Sequence, residues 1–106
     1  MSYYFVARIK INDQKKYAQY LEQVDIIVSK YNGTYLAVDT DPEILEGQWN
    51  SGRCVIIEFS TKKDFENWYR SPEYIKILSI RLEATDSNAI LVKGLNLQRH
   101  KTNHPG

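Results

Sequence analysis

The chain has 106 residues, one domain's worth. Hydrophobic residues at 42% and charged residues at 25% match ordinary globular usage, which excludes a disordered or collagen-like chain. With 14 Lys and Arg against 13 Asp and Glu, the net charge of +1 gives no electrostatic footprint for a nucleic-acid or membrane-surface partner. The single cysteine, Cys54, permits neither an internal disulfide nor a multi-cysteine metal site. Nothing approaches the roughly 18 consecutive apolar residues of a membrane span, and Met1-Ser2-Tyr3-Tyr4, with no basic or apolar leader pattern, predicts no leader peptide. A soluble, cytoplasmic domain is the expectation.

Residues 3–11 alternate aromatic and β-branched side chains and predict a strand. Tyr3, Phe5, Ala7 and Ile9 share one face; Tyr4, Val6, Arg8 and Lys10 share the other. Asp13 is placed to cap a helix, along which Tyr17, Tyr20, Leu21, Val24, Ile27, Val28 and Tyr31 recur at three- and four-residue spacing. Asn32-Gly33 ends it, with Gly33 expected in the left-handed conformation. Residues 34–38 predict a second strand. Asp39-Thr40-Asp41-Pro42 then marks a turn, and Ile44-Leu45-Glu46 a short strand extension closing at Gly47. Residues 53–59 form the third strand. Thr61 and Asp64 begin a second helix, which Ser71-Pro72 breaks and restarts. Tyr74, Ile75, Leu78 and Leu82 are its expected buried face. Residues 89–92 predict a fourth strand, and residues 96–106 a polar tail to a domain of residues 1–95.

The order β-α-β-β-α-β predicts an α+β, ferredoxin-like sandwich: four antiparallel strands with the helices on one face. Tyr3, Phe5, Ala7 and Ile9 then pack with Val55, Ile57 and Phe59 beneath the helices. Tyr4, Val6, Cys54 and Ile56, with Leu36 and Val38 of the second strand, are left on a face that no helix covers. Contiguous apolar surface of roughly 500 Å² is at the upper end for a monomer. A homodimer through this open sheet face, pairing into an α/β barrel, is therefore expected. Arg8 and Glu58 fall on the same face and are expected to lie close together. They satisfy one another as an ion pair, or Arg8 grips a carboxylate or enolate while Glu58 accepts a proton.

Most chemistry is excluded by absence. Both histidines, His100 and His104, lie in the tail, so neither a Ser-His-Asp nor a Cys-His arrangement can be built in the body. His-x3-His alone lacks a third ligand, Asp39-x-Asp41 beside Pro42 reads as a turn, and no metal site is expected. There is no glycine-rich phosphate loop. Tyr17, Tyr20 and Tyr31 read as packing, and Arg81 as a solvated residue or a helix cap. An RNA-binding sheet would need aromatics where Cys54 and Ile56 stand.

Several motifs together resemble one family, that of domain of unknown function 1330, within the dimeric α/β-barrel superfamily. They are Tyr17-x-x-Tyr20, Tyr31-x-Gly33-x-Tyr35, Leu45-Glu46-Gly47-x-Trp49, Arg53 with Val55, Glu58-Phe59, Trp68-Tyr69-x-Ser71-Pro72-x-Tyr74 and Arg81. The resemblance covers about residues 3–95. It implies face-to-face pairing of subunits and no assigned reaction, while the wider superfamily includes cofactor-free monooxygenases and isomerases. It further implies a small, flat or carboxylate-bearing ligand in a cleft between sheet and helices. Many members carry a basic or glycine-rich segment where this chain has Asp39-Thr40-Asp41-Pro42, which disfavours an anion at that end if the loop lines the cleft. The candidate ligand-binding residues are Tyr4, Arg8, Tyr35, Glu46, Glu58 and Trp68, with Arg8 and Glu58 as catalytic candidates and no cofactor. The alternative is a non-catalytic homodimeric structural or regulatory module.

Overall fold

Residues 1–50 and 52–95 are described by the structure, a computed structural model. The alternating stretch forms β1 (Tyr3–Ile11), which buries Phe5, Ala7 and Ile9. At the start of α1 (Gln14–Lys30), Asp13 Oδ1 accepts the Lys16 backbone N–H at 3.0 Å. Tyr17, Tyr20, Val24 and Val28 are the buried stripe of this helix. It is Asn32, at φ 67°, that takes the left-handed conformation after α1, and not Gly33 as expected. Gly33 is needed for packing instead. A Cβ there would sit 2.6 Å from Val28 Cγ1 and 2.9 Å from the Phe59 ring.

Next come β2 (Thr34–Asp39) and β3 (Arg53–Phe59). Residues 44–46 do not extend a strand. The Asp41 N–H turns back onto Asp39 Oδ1 at 2.9 Å, and Pro42 has no N–H to give a ladder, so the chain leaves the sheet. The loop returns through Gly52, φ 106°, whose missing Cβ would lie 2.8 Å from the carbonyl group of Ile9.

Both predicted caps hold the broken second helix. Thr61 Oγ1 accepts the Asp64 N–H to start α2 (Lys62–Tyr69), and Ser71 Oγ accepts the Tyr74 N–H to start α3 (Pro72–Ala84), each at 3.0 Å. The buried face of α3 differs from expectation: it carries Tyr74, Ile77, Arg81 and Ala84, while Ile75 and Leu82 are exposed. Apolar residues surround α3, so their spacing does not select a face. The Tyr74 hydroxyl, 2.8 Å from that of Tyr20, and the cap at Ser71 fix its rotation. The last strand, β4 (Thr85–Lys93), is longer than predicted, because Thr85 to Asn88 pair with Ile11 to Arg8 despite their polar side chains.

Strand order is β2-β3-β1-β4, all antiparallel, with the helices packed on one face: the ferredoxin-like sandwich. Tyr4, Val6 and Arg8 line the opposite face with Cys54, Ile56 and Glu58, as predicted from alternation. Ile90 and Val92 of β4, opposite Val6 and Tyr4, extend it. The second strand contributes differently. A bulge at Leu36 sets Ala37 opposite Ile56 and Val38 opposite Val55, so Val38 turns to the helix side.

Candidate functional site

On the helix side, α1 stands clear of β2 and β3 at one end and leaves a cleft of about 180 Å³. Tyr17, Tyr20, Val24 and Asp25 of α1 form one wall; Tyr35 and Val38 of β2 with Arg53 and Val55 of β3 form the other. Arg81 reaches it from the last turn of α3. A shallower depression of about 410 Å³ beside α2 is larger, but its walls are mostly exposed residues, among them Lys63, Asn67 and Arg70. The cleft, less open and with buried aromatic surface and polar heads in its walls, is the better ligand site.

The tyrosine rings are held by one another. Tyr17 stacks on Tyr20, centroids 5.5 Å apart and planes inclined by 23°, and the Arg53 guanidinium lies 5.8 Å from the Tyr17 ring centre. Burial, reinforced by the neighbouring Tyr74 hydroxyl, raises the Tyr20 pKa well above its usual value of 10.0. Tyr74 is raised by burial while the nearby Arg81 guanidinium opposes the rise. Tyr35 is raised by burial and by the neighbouring Asp25 carboxylate.

These three phenols therefore favour the folded state in their neutral form. Their contribution is fully present below pH 10.0, the unfolded value, and is lost as pH climbs toward the higher folded values. A near-ultraviolet titration is expected to show Tyr20, Tyr35 and Tyr74 still protonated where free tyrosine ionises, releasing protons as the chain unfolds. Reversible ionisation of all three at the free value, with tertiary structure intact, would contradict their burial.

Of the residues singled out from sequence, Tyr35 lies in the cleft. Tyr4, Arg8 and Glu58 are on the open sheet face, Glu46 is exposed in the β2–β3 loop, and Trp68 is wholly buried in the core. Arg8 and Glu58 are not neighbours as expected. The register that pairs Phe5 with Ile57 puts Arg8 opposite Cys54 and Glu58 opposite Tyr4, four positions further along β3. At ~3.3 Å per residue the separation is roughly 13 Å. Arg8 donates to the Asn50 carbonyl at 3.4 Å and to Asn88 Oδ1.

Arg53 and Asp25 line the cleft without having been singled out as ligand candidates; Tyr17 and Tyr20, read as packing, also form its wall; and Arg81, expected as a solvated residue or a helix cap, is instead buried in that wall. A signal for Arg81 exists: it follows Tyr74 by seven residues and Ile77 by four, on the same helix face. Among the described residues no three His, Cys, Asp or Glu side chains gather as metal ligands. His100 and His104 lie outside the described residues. No helix among the described residues is long and apolar enough to cross a membrane.

The family described as Domain of unknown function (DUF1330) matches residues 2–95, and the chain belongs to it. None of the curated proteins matches. Among solved structures, the chain is similar to a protein of unknown function from Rhodopseudomonas palustris (17% identity, 90% of this chain and 83% of that one, TM-score 0.74). It is also similar to a dimeric ferredoxin-like protein of unknown function from Jannaschia sp. CCS1 (6% identity, 89% and 100%, TM-score 0.75). A third is SnoaB, a cofactor-independent oxygenase from Streptomyces nogalater (10% identity, 99% and 98%, TM-score 0.63). At these identities the likeness is one of fold.

Proposed function

We propose, for this member of the DUF1330 family, a homodimeric small-molecule-binding protein that works as a cofactor-free enzyme of the oxygenase or isomerase type on a small organic molecule. The observation that carries the reading is the cleft between α1 and the sheet walled by Tyr17, Tyr20 and Tyr35. Rings lining a cavity give a flat molecule a surface to lie against, while the Arg53, Asp25 and Arg81 side chains fix its orientation. A volume of about 180 Å³ is below the ~300 Å³ at which drug-sized ligand pockets begin, so the ligand is of one-ring or short-chain size. Cofactor-independent chemistry in SnoaB, which shares the fold, supports the enzymatic form of the reading. The dimeric ferredoxin-like neighbours support self-association through the open sheet face.

Native mass spectrometry of the protein purified from its own host tests this directly. A species of twice the chain mass carrying an extra small mass is expected, with the adduct lost on gentle activation. A bare dimer that takes up no small molecule would shift the protein to a non-catalytic module. A monomer would remove the assembly on which the reading depends.

A further inference from the structure

We infer that Arg81 is the anchor of a monoanionic ligand, a carboxylate or enolate borne on the small molecule that occupies the cleft. The inference rests on the reading of the cleft as a ligand site and specifies what enters it. Arg81 is 2% exposed and lines the cleft. Its Nη1 donates to Ser87 Oγ at 3.0 Å, while its Nε is buried without a hydrogen-bond partner. The ion pairs among the described residues are Lys16–Glu83, Lys30–Glu73 and Arg70–Glu66, and none reaches Arg81.

A guanidinium does not shed its proton to escape such a position, because it stays charged at any pH at which the protein folds. A buried charge without a counter-ion is among the most destabilising arrangements in a core, and methionine or leucine would fill the same space without it. Retaining arginine there makes sense when the missing partner arrives from outside. Guanidinium N–H groups match two carboxylate oxygens, so a guanidinium in the cleft wall offers a directed contact rather than a diffuse attraction.

The charge count of the walls sets the sign and the size of the ligand charge. Arg53 and Arg81 are positive and Asp25 is negative, leaving one positive charge that one negative charge neutralises. Asp25 is exposed at the rim, beside Tyr35. The acidic turn after β2 does not oppose an anion here. Asp39 is paired with Cys54 on the opposite face of the sheet, and Asp41 is not part of the cleft wall.

The test compares three single-ring probes of similar shape: benzoate, uncharged benzamide and cationic benzylammonium. Binding is followed by amide and arginine Nε–H resonances, so the site is read together with the affinity. Benzoate is expected to bind at least tenfold more tightly than either other probe and to shift Arg81 Nε–H with the amides of Tyr17 and Val24. Arg81→Met is expected to fold with an unchanged or higher thermal midpoint and to lose benzoate by tenfold or more. The probe comparison on the unmodified protein needs no variant, so it decides the matter even if Arg81→Met fails to fold. Equal binding of benzoate and benzamide in the cleft would overturn the anion assignment and leave the ligand-site reading standing, as would tighter binding of benzylammonium. Benzoate that shifts residues outside the cleft, or that binds Arg81→Met undiminished, would overturn it too. Failure of all three probes to enter the cleft would overturn the anion assignment and the ligand-site reading together.

Discussion

Replacing Trp68 with alanine is expected to destabilise the protein by about 3–5 kcal/mol, a large share of the roughly 5–15 kcal/mol that holds a domain of this size. Trp68 is wholly buried, and its ring is ringed by others: Tyr74 at 4.2 Å, Phe5 at 5.2 Å and Phe59 at 5.3 Å between centroids. These neighbours come from α3, β1 and β3, so the indole is where both helical segments meet the sheet. Its removal leaves a cavity that three separate elements would have to move to fill. In urea, with a slope of roughly 1–3 kcal/mol per molar, the midpoint should fall by at least about 1 M. Both proteins must be compared at one protomer concentration, since association adds to apparent stability. Trp68→Phe should cost much less. The indole N–H is buried without a partner, and such a group carries a penalty of about 1–3 kcal/mol that phenylalanine does not. An alanine variant within about 1 kcal/mol of the parent would mean that Trp68 is not the centre of the core.

From sequence, Trp68 reads as core and stands among the candidate ligand-binding residues as well; the structure keeps the first reading. An aromatic residue beside Tyr69 and Tyr74 has the same spacing whether it faces a pocket or the core; only the packing of α2 against β1 and β3 distinguishes them. The fold itself was legible because its signals are local. Alternation in residues 3–11 and 53–59, the caps at Asp13, Thr61 and Ser71, and the break at Pro72 each act within a few residues. What could not be read locally was register. The bulge at Leu36 sends Val38 into the cleft instead of onto the open face, and the pairing of β1 with β3 separates Arg8 from Glu58. A strand's alternation says which residues share a face but not how far it slides along its neighbour. The site was the least legible part for the same reason. Tyr17 and Tyr20 lie on a packing stripe that becomes a cleft wall only where β2 diverges, and Arg81 hides among the isoleucines and leucines that surround α3.

On the proposed homodimer through the open sheet face, Ile56→Lys is expected to yield a monomer. Ile56 sits on the open sheet face directly opposite Val6, which has Ile90 on its other side, so the three form an apolar row across β3, β1 and β4. A two-fold interface through this face meets the substituted position twice, once from each subunit. Each lysine would have to be desolvated within the apolar row, at about 3–5 kcal/mol per charge even with Glu58 two positions along the same face, and the two ammonium groups would repel as well. At 1.4 kcal/mol per tenfold, the dissociation constant should rise by at least about 10⁴. Analytical ultracentrifugation across a range of concentrations reads this directly. Ile26→Lys is the matched control, because Ile26 is 74% exposed on the outer side of α1 and far from the sheet's open face in the layer order. It should leave the association unchanged. If Ile56→Lys sediments as the parent does, the subunits meet elsewhere, and the uncovered row of Val6, Ile56 and Ile90 must be accounted for by some other contact.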